Sequence, residues 1–362
     1  MSEREEAPGR SLGTLNLDGR NIDPGLGALR GEGAGQLVRA PIAPGPERFP
    51  TAADSTASED TYYGLPILKE TVWKAGVPIY FYVGGLAGAS AALGAAAQLR
   101  PGLAALVRRT RFVAAAGAMA SAGLLIEDLG RPTRFLNMLR VVRLRSPMSV
   151  GSWILTAFGA LSAAAAAGEV IALPDGLVDG AGLAAGLVGL PLAGYTAVLL
   201  ASTAVPVWQG ARTTLPPLFL ASAAASAASA LDLMDVPPRA QATARRFGLC
   251  CKAAELLAAH AVERELSSVP SVVRTLGEGL AGTLWRAAKL LTAVSLIASA
   301  PGRRPRWLRV ASGLCGTAGG IAHRFAIFQA GRAAARNPRA TFDQHRGGVA
   351  WAPERGAETV SE

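Results

Sequence analysis

The chain has 362 residues, half of them hydrophobic and only 17% charged, with a mean hydropathy of +0.29 and few aromatics at 6%. A soluble alanine-rich helical protein would carry charged stripes at helical spacing through its long segments, and most of the long apolar segments here lack them. The net charge of +10 is spread over arginine-rich loops between apolar runs, so it gives no argument for nucleic acid as a partner.

Residues 1–61 are rich in Gly, Pro, Glu, Arg and Ser, with no hydrophobic run, and are expected to form a disordered polar tail. They contain no basic stretch leading into a short apolar core, so no secretory signal is read and the first apolar span is expected to direct insertion. The runs that follow are Val77–Leu99, Phe112–Leu129, Ser149–Leu173, Gly182–Val205, Pro216–Val236, Phe247–Leu266, Thr283–Ala300 and Trp307–Ala330. Each approaches the ~20 residues needed to cross a bilayer as a helix. The predicted fold is an all-α integral membrane bundle of about eight transmembrane helices over residues 62–330, followed by a loose polar tail at 331–362. Lysine and arginine are almost balanced between the two sets of loops, with a slight excess on the side of the termini that favours both termini inside.

Small residues mark where helices approach closely: Gly84 with Gly88, Gly182 with Gly186, and Gly316 with Gly320 each follow the spacing of tight helix crossings. Pro191 is the expected site of a kink. The sixth run is unusual in carrying Lys252, Glu255, His260 and Glu263, which fall within an arc of about 140° on a helix. The expected role of these four is an ion-pair network inside the bundle, with a proton route as the second reading; a surface amphipathic helix is the rival placement.

The segment from Leu124 to Trp153 is the most informative. An apolar helix ends in Glu127-Asp128, a loop with Arg131, Arg134, Arg140, Arg143 and Arg145 follows, and Ser146-Pro147-Met148-Ser149 opens the next apolar run. A charge at the bilayer centre costs at least ~2.5–3.5 kcal/mol unless it is paired or used, so a site at the mouth of the bundle is expected here. The arginines either follow the positive-inside tendency or dock an acidic partner.

Cys250 and Cys251 are adjacent and Cys315 is remote, so neither a C-x-x-C pair nor a cluster-ligand run exists. A haem held between two helices would need His260 and His323, because His345 lies in the tail, and nothing in the sequence sets those two opposite each other. The chain is therefore expected to hold no haem and no iron–sulfur cluster. Walker, Rossmann and zinc-protease motifs are also missing from it.

Four groups of residues, in order, resemble the NrfD/PsrC family, the membrane subunits of polysulfide-reductase-type complexes. They are Tyr62-Tyr63-Gly64-Leu65-Pro66 with Trp73 and Gly84-Gly85-Leu86-Ala87-Gly88; Asp128-Leu129-Gly130-Arg131-Pro132 with Ser146 to Trp153; Tyr195-Thr196 with Pro206 and Trp208; and Leu215-Pro216 to Phe219 with Ser222. The resemblance implies a haem-free, multi-pass protein of the plasma or inner membrane. It implies docking to a four-cluster ferredoxin-like iron–sulfur subunit, which serves a molybdopterin catalytic subunit. Electrons would pass between that partner and menaquinone or another membrane quinone, and the chain would be inactive alone.

The sequence departs from the family where an Asn and a His are usual near the quinone, at about Val77 and Tyr80. Tyr80 still offers a phenol proton. With Tyr195 it forms the expected pair of donors to quinone, each being equally suited to the interfacial aromatic belt. Asp128 is the expected proton-transfer group, with Arg131 as its partner; a loop-fixing ion pair is the plainer role for both. Trp153 and Trp208 are expected to anchor helices at the interface. Two other functions stay open: a small-molecule or ion transporter, and a pure membrane anchor without quinone chemistry.

Overall fold

The computed structural model describes residues 22–23, 28–29, 68, 71, 73–128, 137–171 and 173–345. The chain divides into two units, residues 1–59 and 60–362. In the first, two short strands, β1 (Ile22–Asp23) and β2 (Ala28–Leu29), pair antiparallel with Ile22 opposite Leu29. The rest of the expected tail lies outside the described residues.

The second unit is all helix among its described residues. Its long helices are α1 (Gly76–Gln98), α2 (Ala104–Asp128), α3 (Pro147–Ala167) and α4 (Asp175–Ala201). After the short α5 (Pro206–Gly210) come α6 (Leu215–Asp232) and α7 (Pro238–Leu266). The short α8 (Pro270–Gly277) leads to α9 (Gly279–Ser299), α10 (Arg306–Arg336) and a final α11 (Pro338–His345). Every apolar run read from the sequence falls on one long helix. By length and composition four of these, α1, α3, α4 and α9, are apolar enough to cross a membrane.

Two four-helix groups share a wall. α1 packs on α2 and α4, and α3 on α2 and α4; in the second group α6 packs on α7 and α10, and α9 on α7 and α10. α1 and α6 touch each other and join the groups, helped by contacts of α4 with α6 and of α1 with α10. Glycine makes the close approaches possible. A Cβ at Gly88 would collide with the Gly189 carbonyl, one at Gly186 with Ala95, and one at Gly316 with Ser229. All three small-residue spacings therefore sit at helix contacts, as read.

Helix ends follow local chemistry. Ser146 caps α3 by accepting the Ser149 N–H at 3.4 Å, with Pro147 in the first turn. Glu265, at the end of α7, accepts the N–H groups of Thr213 (3.4 Å) and Thr214 (3.0 Å) and both hydroxyls, and so holds the start of α6. Pro191 lies inside an uninterrupted α4.

Two expectations need correction. The stretch after Ala330 is not loose as far as His345: α10 continues to Arg336, and α11 buries Ala340 and Thr341. Alanines within this polar stretch supply enough of an apolar face to pack. Trp208 is not at an interface but fully buried, its Nε1–H donating to the Ile327 carbonyl at 2.8 Å. Its ring occupies the space over Gly331, where any side chain would collide with it. Trp153, at the exposed boundary, does sit at the surface of the bundle.

Candidate functional site

Asp128, Tyr80 and Tyr195 gather at the end of the bundle where α1 and α3 begin and α2 stops. Asp128 is the last residue of α2, and its carboxylate accepts the N–H of Lys74, just ahead of α1, at 3.3 Å. A carboxylate at a helix C-terminus works against the helix dipole, so a donor from the neighbouring chain segment offsets that cost. Arg131, its expected partner, lies outside the described residues, as do Tyr62 to Pro66 and Arg134.

Tyr80 and Tyr195 come within electrostatic range of each other, but their hydroxyls differ. The Tyr195 O–H donates to the Pro147 carbonyl at 2.6 Å, tying α4 to the first turn of α3. Gly151, one turn on, leaves room for the Tyr195 ring, which a Cβ there would meet at 2.9 Å. The Tyr80 ring is buried beside Phe81, at 5.8 Å between centroids, and no hydrogen bond ties its hydroxyl to a described residue. Val77, one turn before it, is buried and purely apolar.

An aromatic floor supports this end. Trp73 stacks on Trp208 at 5.9 Å and 15°, and meets Phe81 edge-on at 6.5 Å. Phe81 lies 6.3 Å from Phe219, whose face carries the Arg324 guanidinium at 3.9 Å. The quinone that the family implies needs an apolar slot, a donor to a carbonyl oxygen and a group that handles protons. Tyr80 and Asp128 carry the chemistry of the last two roles, and the floor gives this end an apolar lining. Tyr195 does not fit as a donor here, because its proton already goes to Pro147. Depressions of about 940 and 550 Å³ open at the opposite end of the bundle, around Arg108 and Arg306, and none of the three site residues lines them.

The second group of helices holds a different assembly. Lys252 is buried on α7 and donates to Ser299 Oγ (2.9 Å) and Ser312 Oγ (3.2 Å), with the Asp232 carboxylate at 3.7 Å. Arg304 grips the same Asp232 at 2.8 and 3.3 Å. One turn along α7, Glu255 pairs with His323 Nδ1 at 2.9 Å, both fully enclosed. Trp285 sits edge-on to His323 at 4.7 Å and donates its Nε1–H to Glu263 at 2.6 Å. Glu263 also binds Lys289, with His260 at 3.8 Å. The four polar residues read on the sixth run thus enter an internal ion-pair network, with the exposed His260 at its margin.

Sequence reasoning missed the partners: Asp232, Trp285, His323 and Arg324. The signal was present, because an ionisable residue inside an apolar run is a functional candidate by default. Asp232 ends one such run and His323-Arg324 interrupts another. Among the described residues no group of His, Cys, Asp and Glu is arranged to hold a metal ion.

No curated protein is similar enough to this sequence to count as a relative. A family model does match: that of NrfD, polysulphide reductase, over residues 67–246, from just ahead of α1 into the first turns of α7.

Proposed function

We propose a task for this chain from the premise that it belongs to the NrfD, polysulphide reductase, family, whose members are membrane subunits of respiratory oxidoreductases. The task is to bind quinone where α1 begins and to pass electrons between it and a partner iron–sulfur subunit. The partners this reading requires are a four-cluster ferredoxin-like subunit and a molybdopterin catalytic subunit, as the family generally has. The membrane is the plasma or inner membrane.

All eight long helices cross the bilayer in this reading, including α2, α6, α7 and α10, which are less apolar than the other four. Burial supports this: Arg111 on α2 pairs with Glu169 and Asp179, and the charges of α7 pair within the bundle. A charge that is paired away from lipid does not carry the insertion cost of an exposed one.

The observation that carries the reading is the Tyr80 hydroxyl, unclaimed by any described residue, in an aromatic setting beside the α2 terminus that bears Asp128. A bound quinone would supply two-electron, two-proton chemistry. Tyr80 would donate a hydrogen bond to a carbonyl oxygen, and Asp128 would accept or return a proton at the bundle's mouth. Tyr195 would hold α3 in place rather than donate.

Purification in mild detergent, with identification of co-purifying subunits and extraction of quinone, tests the proposal. An iron–sulfur subunit with bound quinone is expected. The same subunits without quinone would leave a pure anchor, a reading that Val77 and the Tyr195–Pro147 bond favour. Purification without partners would leave a transporter.

A further inference from the structure

Four long helices, α2, α4, α7 and α10, begin at the end of the bundle away from Tyr80 and Asp128. A helix N-terminus is electropositive and favours acids in its first turn. α4 has Asp175 there, but α2, α7 and α10 have no acid in the first turn. Within their first two turns they carry arginines instead: Arg108 and Arg109 on α2, Arg239 on α7, Arg306 and Arg309 on α10. The depressions of about 940 and 550 Å³ at this end are both bordered by Asp235 and Pro237, and so adjoin. Seven arginines and no lysine line them, against three carboxylates, Glu169, Asp179 and Asp235. Glu169 and Asp179 are already taken by Arg111, at 2.5 and 2.7 Å. Arg100, Arg109 and Arg306 are exposed and make no ion pair among the described residues. Arg309 has a side chain only 8% exposed. Gln241, its amide oxygen turned toward this guanidinium, accepts from Nε at 3.1 Å and from Nη1 at 2.8 Å. Nη2 comes no nearer than 3.7 Å to Asp235, so one nitrogen of a buried guanidinium borders the smaller depression without a hydrogen bond.

We propose that this arginine trough seats the phosphodiester headgroup of an anionic phospholipid. This rests on α2, α7 and α10 spanning the membrane and not on quinone binding. The free oxygens of a phosphodiester match the paired N–H groups of a guanidinium, and the helix N-termini add oriented positive charge. Basic pockets between transmembrane helices hold such headgroups. A soluble phosphate offers the same oxygens, but the surface beside the arginines is apolar. Trp307, Leu314 and Ile321 are 70%, 56% and 37% exposed. Their seven-residue spacing puts them on one outer face of α10, which begins beside Arg306. Acyl chains lie along that face while the headgroup meets Arg306 and Arg309.

Trp307 makes the site readable, because brominated acyl chains quench an indole that they touch. The complex is placed in phosphatidylcholine vesicles with a minor fraction of lipid brominated, either phosphatidylglycerol or phosphatidylcholine. The emission missing from a Trp307→Phe complex of the same subunit stoichiometry is followed. Brominated phosphatidylglycerol should quench it several-fold more than brominated phosphatidylcholine at the same fraction. Arg109→Gln and Arg306→Gln, made together, should bring the two lipids to equality. Arg246→Gln, an exposed arginine of α7 that lines neither depression, should leave the preference as it was. Equal quenching by the two lipids in the parent complex overturns the proposal. So does an equal loss in Arg246→Gln, which would mark a diffuse surface attraction. Inorganic phosphate at matched ionic strength should not release the quenching; release would assign the arginines to a soluble anion and overturn the lipid site. Impermeant thiol labelling of Ala242→Cys and Ser268→Cys, scored against the parent complex, separates the causes of failure. Labelling from opposite faces means that α7 spans and only the lipid site is wrong; labelling from one face means that the spanning reading has failed.

Discussion

The two four-helix groups differ in where their polar groups lie. Around α1–α4 the contacts are made by small residues at backbone distance, as where Gly88 meets Gly189, and the polar groups of interest lie at one end. Around α6, α7, α9 and α10 the polar groups run through the interior as paired charges, hydroxyls and one imidazole. The family match covers the first group and stops at residue 246, before Lys252, Glu255 and Glu263. What the family model captures is therefore the scaffold and the end bearing Tyr80 and Asp128. The ionic column is carried mostly by residues beyond it. Packing by glycine is cheap to make and costly to overfill; pairing of buried charges is tolerable when complete and costly when broken.

The largest test of that contrast is Asp232→Ala. It leaves Lys252 and Arg304 buried without a counter-charge, and removing one member of a buried pair typically costs ~3–5 kcal/mol. Thermal unfolding of the complex in detergent should show a marked loss. An unchanged midpoint would mean that the column is hydrated enough to do without the carboxylate. Asp128→Asn should leave assembly intact, because the amide oxygen still accepts the Lys74 N–H. It should slow quinone-linked turnover about a hundredfold, the low end of what a positioned proton-transfer group supplies. Lost subunit stoichiometry with normal turnover per assembled complex would reduce Asp128 to a clip.

In the first group, Gly88→Ala places a methyl against the Gly189 carbonyl, an overpacking expected to cost about 2 kcal/mol. Detergent denaturation should register it as about half the Asp232→Ala loss; an equal or larger loss would mean that glycine packing matters as much as the buried charges. The smallest effects separate the tyrosines. Tyr80→Phe should weaken quinone binding by about 1 kcal/mol, the net value of one hydrogen bond. Tyr195→Phe should leave quinone titrations unchanged while loosening the start of α3. Reversed results would exchange the two roles.

The helices were legible because uninterrupted apolar runs approaching the ~20 residues of a spanning helix read as helices, and each of the eight runs lies on a long helix. Their ends were less so. α2 begins at Ala104 rather than Phe112 because Arg108, Arg109 and Arg111 mask a helix that hydropathy alone discards; Arg111 is buried against Glu169 and Asp179. α7 begins at Pro238 rather than Phe247 for the same reason, with Arg239, Arg245 and Arg246 in its first turns. The charged residues of α7 were visible, but their partners lie up to 68 positions away, as Glu255 and His323 do, and a local pattern carries no information at that distance. Tyr80 and Asp128 were singled out through motif order, which reports position. That Tyr195 gives its proton to Pro147 is a matter of geometry that no motif records.

Trp208 has a consequence for how the chain is made. Its indole rests on Trp73 from the beginning of the bundle and on Ile327 and Gly331 near the end of it, with 119 positions between donor and acceptor of its hydrogen bond. Synthesis proceeds from the N terminus, and folded units form as they emerge. Every helix of the first group is therefore synthesised before the aromatic floor beneath it can close. A ribosome-bound chain lacking α10 has the tyrosines and the carboxylate in place but an indole with nowhere to donate. The aromatic floor is completed only once α10 is made, because α10 supplies the Ile327 carbonyl, the space over Gly331 and the Arg324 guanidinium on Phe219.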